Sequence, residues 1–152
     1  MATPADINSM LFDILMLRIS PAYHAAEVMR RDRGEVAMAN SPEGSEAYAA
    51  IRLLIGTWEG IAIRVRANEP VKIPFYKENP VGHMWNALEP AIAIIQKEKI
   101  EVRVKGKTKI VTFGKRYAGQ FKLLNDAYMG WLALQPADYQ TAHLGGINAQ
   151  FG

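Results

Sequence analysis

A dense run of positive charge between Lys97 and Arg116 is the most distinctive chemistry in the sequence. The run holds eight basic and two acidic residues, a net charge of +6, whereas the whole chain of 152 residues carries +3. Closely spaced ammonium and guanidinium groups attract phosphates and carboxylates. The run therefore predicts a binding surface for an acidic macromolecule. Its basic residues are Lys97, Lys99, Arg103, Lys105, Lys107, Lys109, Lys115 and Arg116.

Alternating side chains within this run predict a two-stranded β-hairpin over about residues 99–113. Ile100, Val102 and Val104 alternate with charged residues, and a strand-like pattern resumes from Lys109 to Phe113. Such alternation is typical of strands with one apolar face. We place a four-residue turn at 105–108, which contains Gly106.

That turn fixes a predicted register in which Val104 faces Lys109, Val102 faces Val111 and Ile100 faces Phe113. An isolated two-stranded hairpin is only marginally stable in water. We therefore expect the apolar face of the hairpin to rest on helices and its lysine-rich tip to project.

Three explanations fit a basic hairpin tip. Lysines beside exposed strand edges discourage aggregation and need no ligand. An acidic protein surface would be attracted by the same charges, and nucleic acid would be bound through its phosphates. The helical segment EPAIAIIQK before the hairpin offers few side chains that read bases, and Phe113 and Tyr117 are too few for a stacking platform. The predicted partner-binding residues are Arg103, Lys105, Lys107, Lys109, Phe113, Lys115, Arg116 and Tyr117.

Residue types that support catalysis are present but do not form a catalytic pattern. His24, His83 and His143 lie on separate segments. His24 and Glu27 are spaced for one helical face, but a single pair is not the repeated Glu-x-x-His set of di-iron bundles. Cysteine is absent, which excludes thiolate ligands, cysteine nucleophiles and disulfides. We predict a protein that is not an enzyme and has no metal or cofactor.

Glu59 and Glu89 flank apolar stripes and are the carboxylates that we expect to be partly buried. A desolvated carboxylate can act as an acid or base. We interpret both as structural, with Arg52 or Arg66 helping to satisfy Glu59.

Composition favours one helical domain that spans residues 1–152. Hydrophobic residues make up 49% of the chain and charged residues 22%, which is typical of a folded domain with a core. The N-terminal run MLFDILMLRI is too short to cross a bilayer and contains Asp13. With no cysteine and no membrane segment, we expect a cytoplasmic protein.

Helix start signals and apolar periodicity predict four to six helices in a compact bundle. Ser20-Pro21 starts a helix that ends near Gly34, and Ser41-Pro42 starts the longest helix, which runs to about Ala67. The apolar stripe of this longest helix, which we expect in the core, is Tyr48, Ile51, Ile55, Trp58, Ala62 and Val65. Asn79-Pro80 starts a further helix in which Pro90 should cause a kink or a break. A last long helix carries the stripe Tyr117, Phe121, Leu124, Tyr128 and Trp131.

Three segments in order, AIRLLIGTWEGIAIRV, MWNALEPAI and YAGQFKLLNDAYMGWL, resemble a family of uncharacterised bacterial and phage helical proteins. The resemblance covers about Ala50 to Trp131 through a few aromatic residues and Glu59. It implies a mostly helical fold and, because that family has no established activity, contributes nothing about function. The basic hairpin is an addition to the family pattern.

Together these features predict a non-catalytic binding protein, a small adaptor or inhibitor of phage or bacterial type that engages an acidic protein surface through its hairpin. The alternative is a DNA- or RNA-binding protein that uses the same residues on phosphates. Gly56 and Gly60, four residues apart in the longest helix, also permit a homodimer.

Overall fold

The structure is a computed structural model, and it describes residues 2–143. It is mainly helical with one antiparallel two-stranded hairpin, which confirms the predicted fold class. Eight helical segments have defined bounds in this part of the chain, so the predicted number of four to six is too low. The additional segments are short ones that join the long helices.

The helices and strands follow in chain order. They are α1 (Pro4–Met16), α2 (Pro21–Arg33), α3 (Glu35–Ala39), α4 (Glu46–Ala67), a 3-10 turn (Glu69–Val71), α5 (Lys72–Glu78), α6 (Val81–Gln96), β1 (Lys99–Val104), β2 (Lys107–Thr112) and α7 (Gly119–Ala133). Residues 137–143 are also helical.

Side-chain caps determine where the early helices begin. The Ser20 hydroxyl accepts the backbone N–H of Tyr23, which starts α2 at the predicted place. The predicted start of the longest helix at Ser41-Pro42 is wrong. The Ser41 hydroxyl donates back to the Ala37 carbonyl at the end of α3, and Ser45 caps α4 instead.

Pro90 lies inside α6 without dividing it, because the helix is continuous over Val81–Gln96. Proline removes the amide that would bond the carbonyl four residues earlier, which belongs to Asn86. Asn86 is exposed, so water can satisfy that carbonyl.

The core is built around α4. Its predicted stripe is buried, and Trp58 at the centre stacks on Phe121 of α7 with ring centroids 5.4 Å apart. The Trp58 indole N–H donates to the Tyr23 hydroxyl at 3.0 Å, which ties α2 to the same point. By contrast, within residues 2–143 no other element places an atom within 4 Å of a Cβ position at Gly56 or Gly60, so no neighbouring backbone there approaches them closely.

A buried ion network closes the turn between α2 and α3. Arg30 binds Glu27 at 3.2 Å and Glu35 at 2.8 Å, and Arg30 is only 7% exposed. Two carboxylates thus compensate one buried guanidinium, which would otherwise be costly to remove from water.

Aromatic side chains hold the helical residues 137–143 against α5 and α7. His143 Nε2 lies 3.1 Å from the Lys77 carbonyl, which only accepts, so Nε2 carries the proton. In the neutral ring Nδ1 then accepts from the Tyr128 hydroxyl at 2.9 Å. Trp131 and Tyr139 complete this cluster.

Candidate macromolecule-binding hairpin

The hairpin turns over two residues, Lys105 and Gly106, rather than the predicted four. Val104 pairs with Lys107, and both turn residues have positive φ, 51° at Lys105 and 77° at Gly106. Two consecutive positive φ values are typical of a type I′ turn, whose twist matches that of the flanking strands. Glycine adopts such a φ without strain, and lysine does so at a modest cost.

The observed register differs from the predicted one by two residues. Val102 pairs with Lys109, and Ile100 pairs with Val111. Because the shift is even, the apolar residues of β1 and Val111 still share a face, as predicted. Lys107, however, lies on that same face, since it pairs with Val104.

Each face of the hairpin therefore mixes apolar and basic side chains. One face carries Ile100, Val102, Val104, Lys107, Lys109 and Val111. The other face carries Lys99, Glu101, Arg103, Thr108, Ile110 and Thr112.

The hairpin projects from the helical body. Every residue of β2 is exposed, with Ile110 at 66%, and Val104 of β1 is 48% exposed. Only Ile100 and Val102 are partly buried. The expectation that the apolar face rests on helices is therefore wrong, although the tip projects as predicted. The two-residue turn closes the strands on each other, and most of their length extends beyond the core.

Backbone hydrogen bonds anchor the base of the hairpin to the end of α6. The Phe113 N–H donates to the Glu98 carbonyl at 3.2 Å, and the Gly114 N–H donates to the Gln96 carbonyl at 2.9 Å. The Gln96 side-chain amide also donates to the Tyr117 carbonyl at 3.0 Å. These hydrogen bonds fix both ends of the hairpin to the helical body.

Arg52 of α4 packs beneath this base between two aromatic rings. Its guanidinium carbon lies 4.9 Å from the Phe113 ring centre and 5.0 Å from that of Tyr117. Such cation–π contacts contribute about 0.5–2 kcal/mol each, depending on burial. Arg52 also donates to the Tyr48 hydroxyl at 3.1 Å, which in turn donates to Glu98 at 2.6 Å.

This cluster changes the titration of its tyrosines. Burial raises the pKa of Tyr117 to about 12, although the nearby Arg52 charge opposes the shift. Burial also raises the pKa of Tyr48, and its hydrogen bond to Glu98 acts in the same direction. Both phenols are therefore protonated at neutral pH. Tyr48 serves as a hydrogen-bonding group, and Tyr117 serves as a neutral packing group beside Arg52.

The predicted partner-binding residues fall into two sets. Six basic side chains are exposed and have no ion pair or hydrogen bond within residues 2–143. They are Arg103, Lys105, Lys107, Lys109, Lys115 and Arg116. Phe113 and Tyr117 are partly buried against Arg52, which makes them supports for the hairpin base. The exposed apolar side chains beside the lysines are Val104, Ile110 and Val111.

Lys115 lies apart from the tip, at the edge of a shallow groove. The groove has a volume of about 220 Å³ and runs between α6 and the start of α7. Glu89, Gln96 and Lys122 also line it. Its charges are of both signs, so the groove does not extend the basic surface of the tip.

The carboxylates with the residue type for acid–base or metal chemistry have structural partners or face solvent. Glu59 Oε1 accepts the backbone N–H of Phe121 at 2.6 Å and so caps the start of α7, in place of the predicted arginine pairing. Glu27 binds Arg30 and Arg31. Glu89 is exposed, contrary to expectation. Among residues 2–143, no group of three or more His, Asp or Glu side chains is placed to hold a metal ion.

Sequence reasoning missed the roles of Arg52 and Tyr48. Their spacing of four residues on α4 indicated that they could meet on one face. Their contacts with Glu98 and Phe113 join residues far apart in the chain, and no local pattern indicates those contacts.

Comparison of the chain with protein-family models, with curated proteins and with solved structures gives no match. The resemblance to uncharacterised bacterial and phage helical proteins therefore stays a prediction. Within residues 2–143, no helix has the length and apolar character needed to cross a membrane.

Proposed function

We propose that this protein is a small cytosolic, non-catalytic binding protein, an adaptor or inhibitor that engages an acidic protein surface through the β1–β2 hairpin. The observation that carries the proposal is the exposed hairpin tip, whose basic side chains have no ion pair or hydrogen bond in the part of the chain that the structure describes. Such charges accelerate and orient association with an oppositely charged surface.

An acidic protein fits this surface better than nucleic acid does, because exposed apolar side chains lie among the lysines. Val104, Ile110 and Val111 could pack on apolar groups of a protein, whereas a phosphate backbone offers none. Binding of single-stranded nucleic acid usually adds aromatic stacking. The nearby rings of Phe113 and Tyr117 are engaged by Arg52 instead.

DNA or RNA binding remains the second candidate, and one observation favours it. A basic two-stranded ribbon that projects from a helical body has the shape of elements that enter nucleic-acid grooves. Self-association into a homodimer is a separate prediction, which sedimentation velocity over a range of protein concentrations would test.

The test is a salt-dependent binding titration with two probes, poly-glutamate and random-sequence DNA in single- and double-stranded form. The variant replaces Lys105, Lys107 and Lys109 by serine. A matched control replaces Arg33, Arg64 and Lys77, three exposed basic residues outside the hairpin, by serine. Both variants lose the same formal charge, so a difference between them reports the position of the charge.

We expect poly-glutamate to bind the wild type and the control, and the hairpin variant to bind about tenfold more weakly. If DNA binds more tightly, with a salt slope that falls by about one unit per lysine removed, the nucleic-acid candidate replaces the first. If the hairpin and control variants lose binding equally, only net charge matters and the hairpin has no special role.

A further inference from the structure

Backbone groups along the outer edge of β2 are available for pairing. The Phe113 N–H bonds the Glu98 carbonyl, which makes these two residues a hydrogen-bonded pair. In an antiparallel ladder, such pairs alternate with pairs whose N–H and C=O groups point outward. The β2 residues with outward backbone groups are Thr108, Ile110 and Thr112. Within residues 2–143, these outward groups have no hydrogen-bond partner.

The outer edge of β1 is a poorer site for an acidic strand. It includes Glu101, whose charge would repel an acidic neighbour, and two residues of β1, Ile100 and Val102, are partly buried. No acidic residue occurs in β2, and all six of its residues are exposed. The two edges are otherwise comparable, since Glu101 and Ile110 lie directly opposite each other.

We propose that an extended acidic segment of the partner adds to the outer edge of β2 as a third, antiparallel strand. This inference rests on the proposed function and specifies how the acidic partner is held. Strand addition supplies affinity through backbone hydrogen bonds and selectivity through alternate side chains. Here the basic side chains of the ribbon supply the charge complementarity.

The side-chain pattern of β2 defines the sequence that would fit. Lys107 and Lys109 point to one face, about 7 Å apart, which is the spacing of alternate residues in an added strand. Acidic residues of the segment would lie beside them. On the other face, β-branched residues would cover Ile110, which is 66% exposed. The segment therefore alternates acidic and β-branched residues.

The first experiment uses the wild-type full chain and a short capped peptide of alternating Glu and Val. In the proposed arrangement the Val residues pair with Thr108, Ile110 and Thr112, so their amides bond β2, whereas the Glu amides point to solvent. A peptide N-methylated at the Val residues removes the bonding donors. A peptide N-methylated at the Glu residues is the matched control, with identical charge and composition.

Calorimetry should give similar Kd values for the unmodified and Glu-methylated peptides and a Kd at least about tenfold weaker for the Val-methylated peptide. Amide hydrogen exchange should slow at Thr108, Ile110 and Thr112 when the unmodified peptide binds.

A second experiment changes the protein at the opposed positions. Ile110→Pro removes an outward N–H of β2 and leaves the β1–β2 hydrogen bonds in place, and Glu101→Pro does the same on β1. We expect about tenfold weaker binding for Ile110→Pro and no weakening for Glu101→Pro. Ile110→Thr keeps the amide and controls for the side chain. Cross-strand NMR contacts between β1 and β2 verify that each hairpin is intact.

The possible outcomes distinguish strand addition from the proposed binding of an acidic partner. Equal binding of both methylated peptides overturns strand addition but leaves an acidic partner in place. Weaker binding for Glu101→Pro alone overturns the assignment to β2. If no acidic peptide binds, including one with all Glu residues in a single block, the proposed function fails as well. In that case the edge lysines serve only to prevent aggregation.

Discussion

The junction of α4 with α7 and the β1–β2 hairpin are held together in opposite ways. At the junction, Trp58 and Phe121 are fully buried and stack on each other. In the hairpin, Ile110 and Val104 are largely exposed, and the strands pair mainly with each other. Burial of apolar surface is the main source of stability. The junction therefore supplies stability, and the hairpin leaves most of its side chains exposed to solvent.

The largest expected effect comes from Trp58→Ala, which removes the centre of the junction. It deletes a buried ring and the hydrogen bond to Tyr23, and should lower the free energy of unfolding by about 4 kcal/mol. Val104→Ala on the hairpin should cost less than about 0.5 kcal/mol. Urea denaturation followed by far-UV circular dichroism measures both. Similar costs for the two variants would contradict the contrast between the regions.

Arg30→Met tests the same contrast for charged groups. It leaves Glu27 and Glu35 without their shared cation and should cost about 3 kcal/mol. Arg31→Met is the matched control, because Arg31 is 48% exposed and lies 3.6 Å from the same Glu27 carboxylate. Its expected cost is below about 0.5 kcal/mol. Thermal unfolding of both variants measures this difference in stability. Equal melting temperatures would contradict the expected difference between the buried and the exposed arginine.

Alkaline pH should destabilise the protein through buried tyrosines in both regions. Burial raises the pKa of Tyr117 at the hairpin base and of Tyr128 in the core to about 12, from a usual value of 10.0. Between these values the unfolded chain loses its phenolic protons first, so stability is complete below pH 10 and falls as pH rises toward 12. In ultraviolet titrations, Tyr117→Phe and Tyr128→Phe should each lack one of the high-pH ionisations that the wild type shows. Retention of both late ionisations in either variant would overturn the assignment.

Glu59→Ala should have an intermediate effect, because Glu59 caps the start of α7 beside the hairpin. The Phe121 N–H would lose its acceptor, at a cost of about 2 kcal/mol. Glu59→Gln keeps an acceptor oxygen and loses only the charge, so about 1 kcal/mol is expected. Denaturant unfolding of the two variants ranks these contributions. Equal costs for the two variants would indicate that the carboxylate charge, and not the acceptor oxygen, is what matters.

The smallest effect concerns the hairpin turn. Lys105→Asn places a residue that tolerates positive φ before Gly106, and should stabilise the hairpin by at most about 0.5 kcal/mol. Gly106→Ala should weaken the hairpin by about 1 kcal/mol. Amide hydrogen exchange at Lys107 and Val104 reports the local change. A large shift in global stability for either variant would show that the hairpin contributes to the core.

Local signals in the sequence predicted several features correctly. Ser20-Pro21 and Gly34 gave the bounds of α2, and the apolar stripe of α4 lies in the core. The hairpin was predicted from the alternation of apolar and charged residues, and its exposed tip from the cluster of lysines. These features depend on residues a few positions apart, and capping and periodicity act over that range. The two-residue turn was also encoded locally, by Gly106, but the predicted turn was too long.

Only the tertiary structure determined which partners polar and charged side chains find in distant parts of the chain. Glu59 bonds an amide 62 residues away, and Arg52 lies against the rings of Phe113 and Tyr117. The sequence alone supplied the basic hairpin and its helical frame. Whether the ribbon packs on the helices or projects depends on which apolar surfaces the assembled core has already covered. The placement of the hairpin depends on many long-range contacts, which no short stretch of sequence determines.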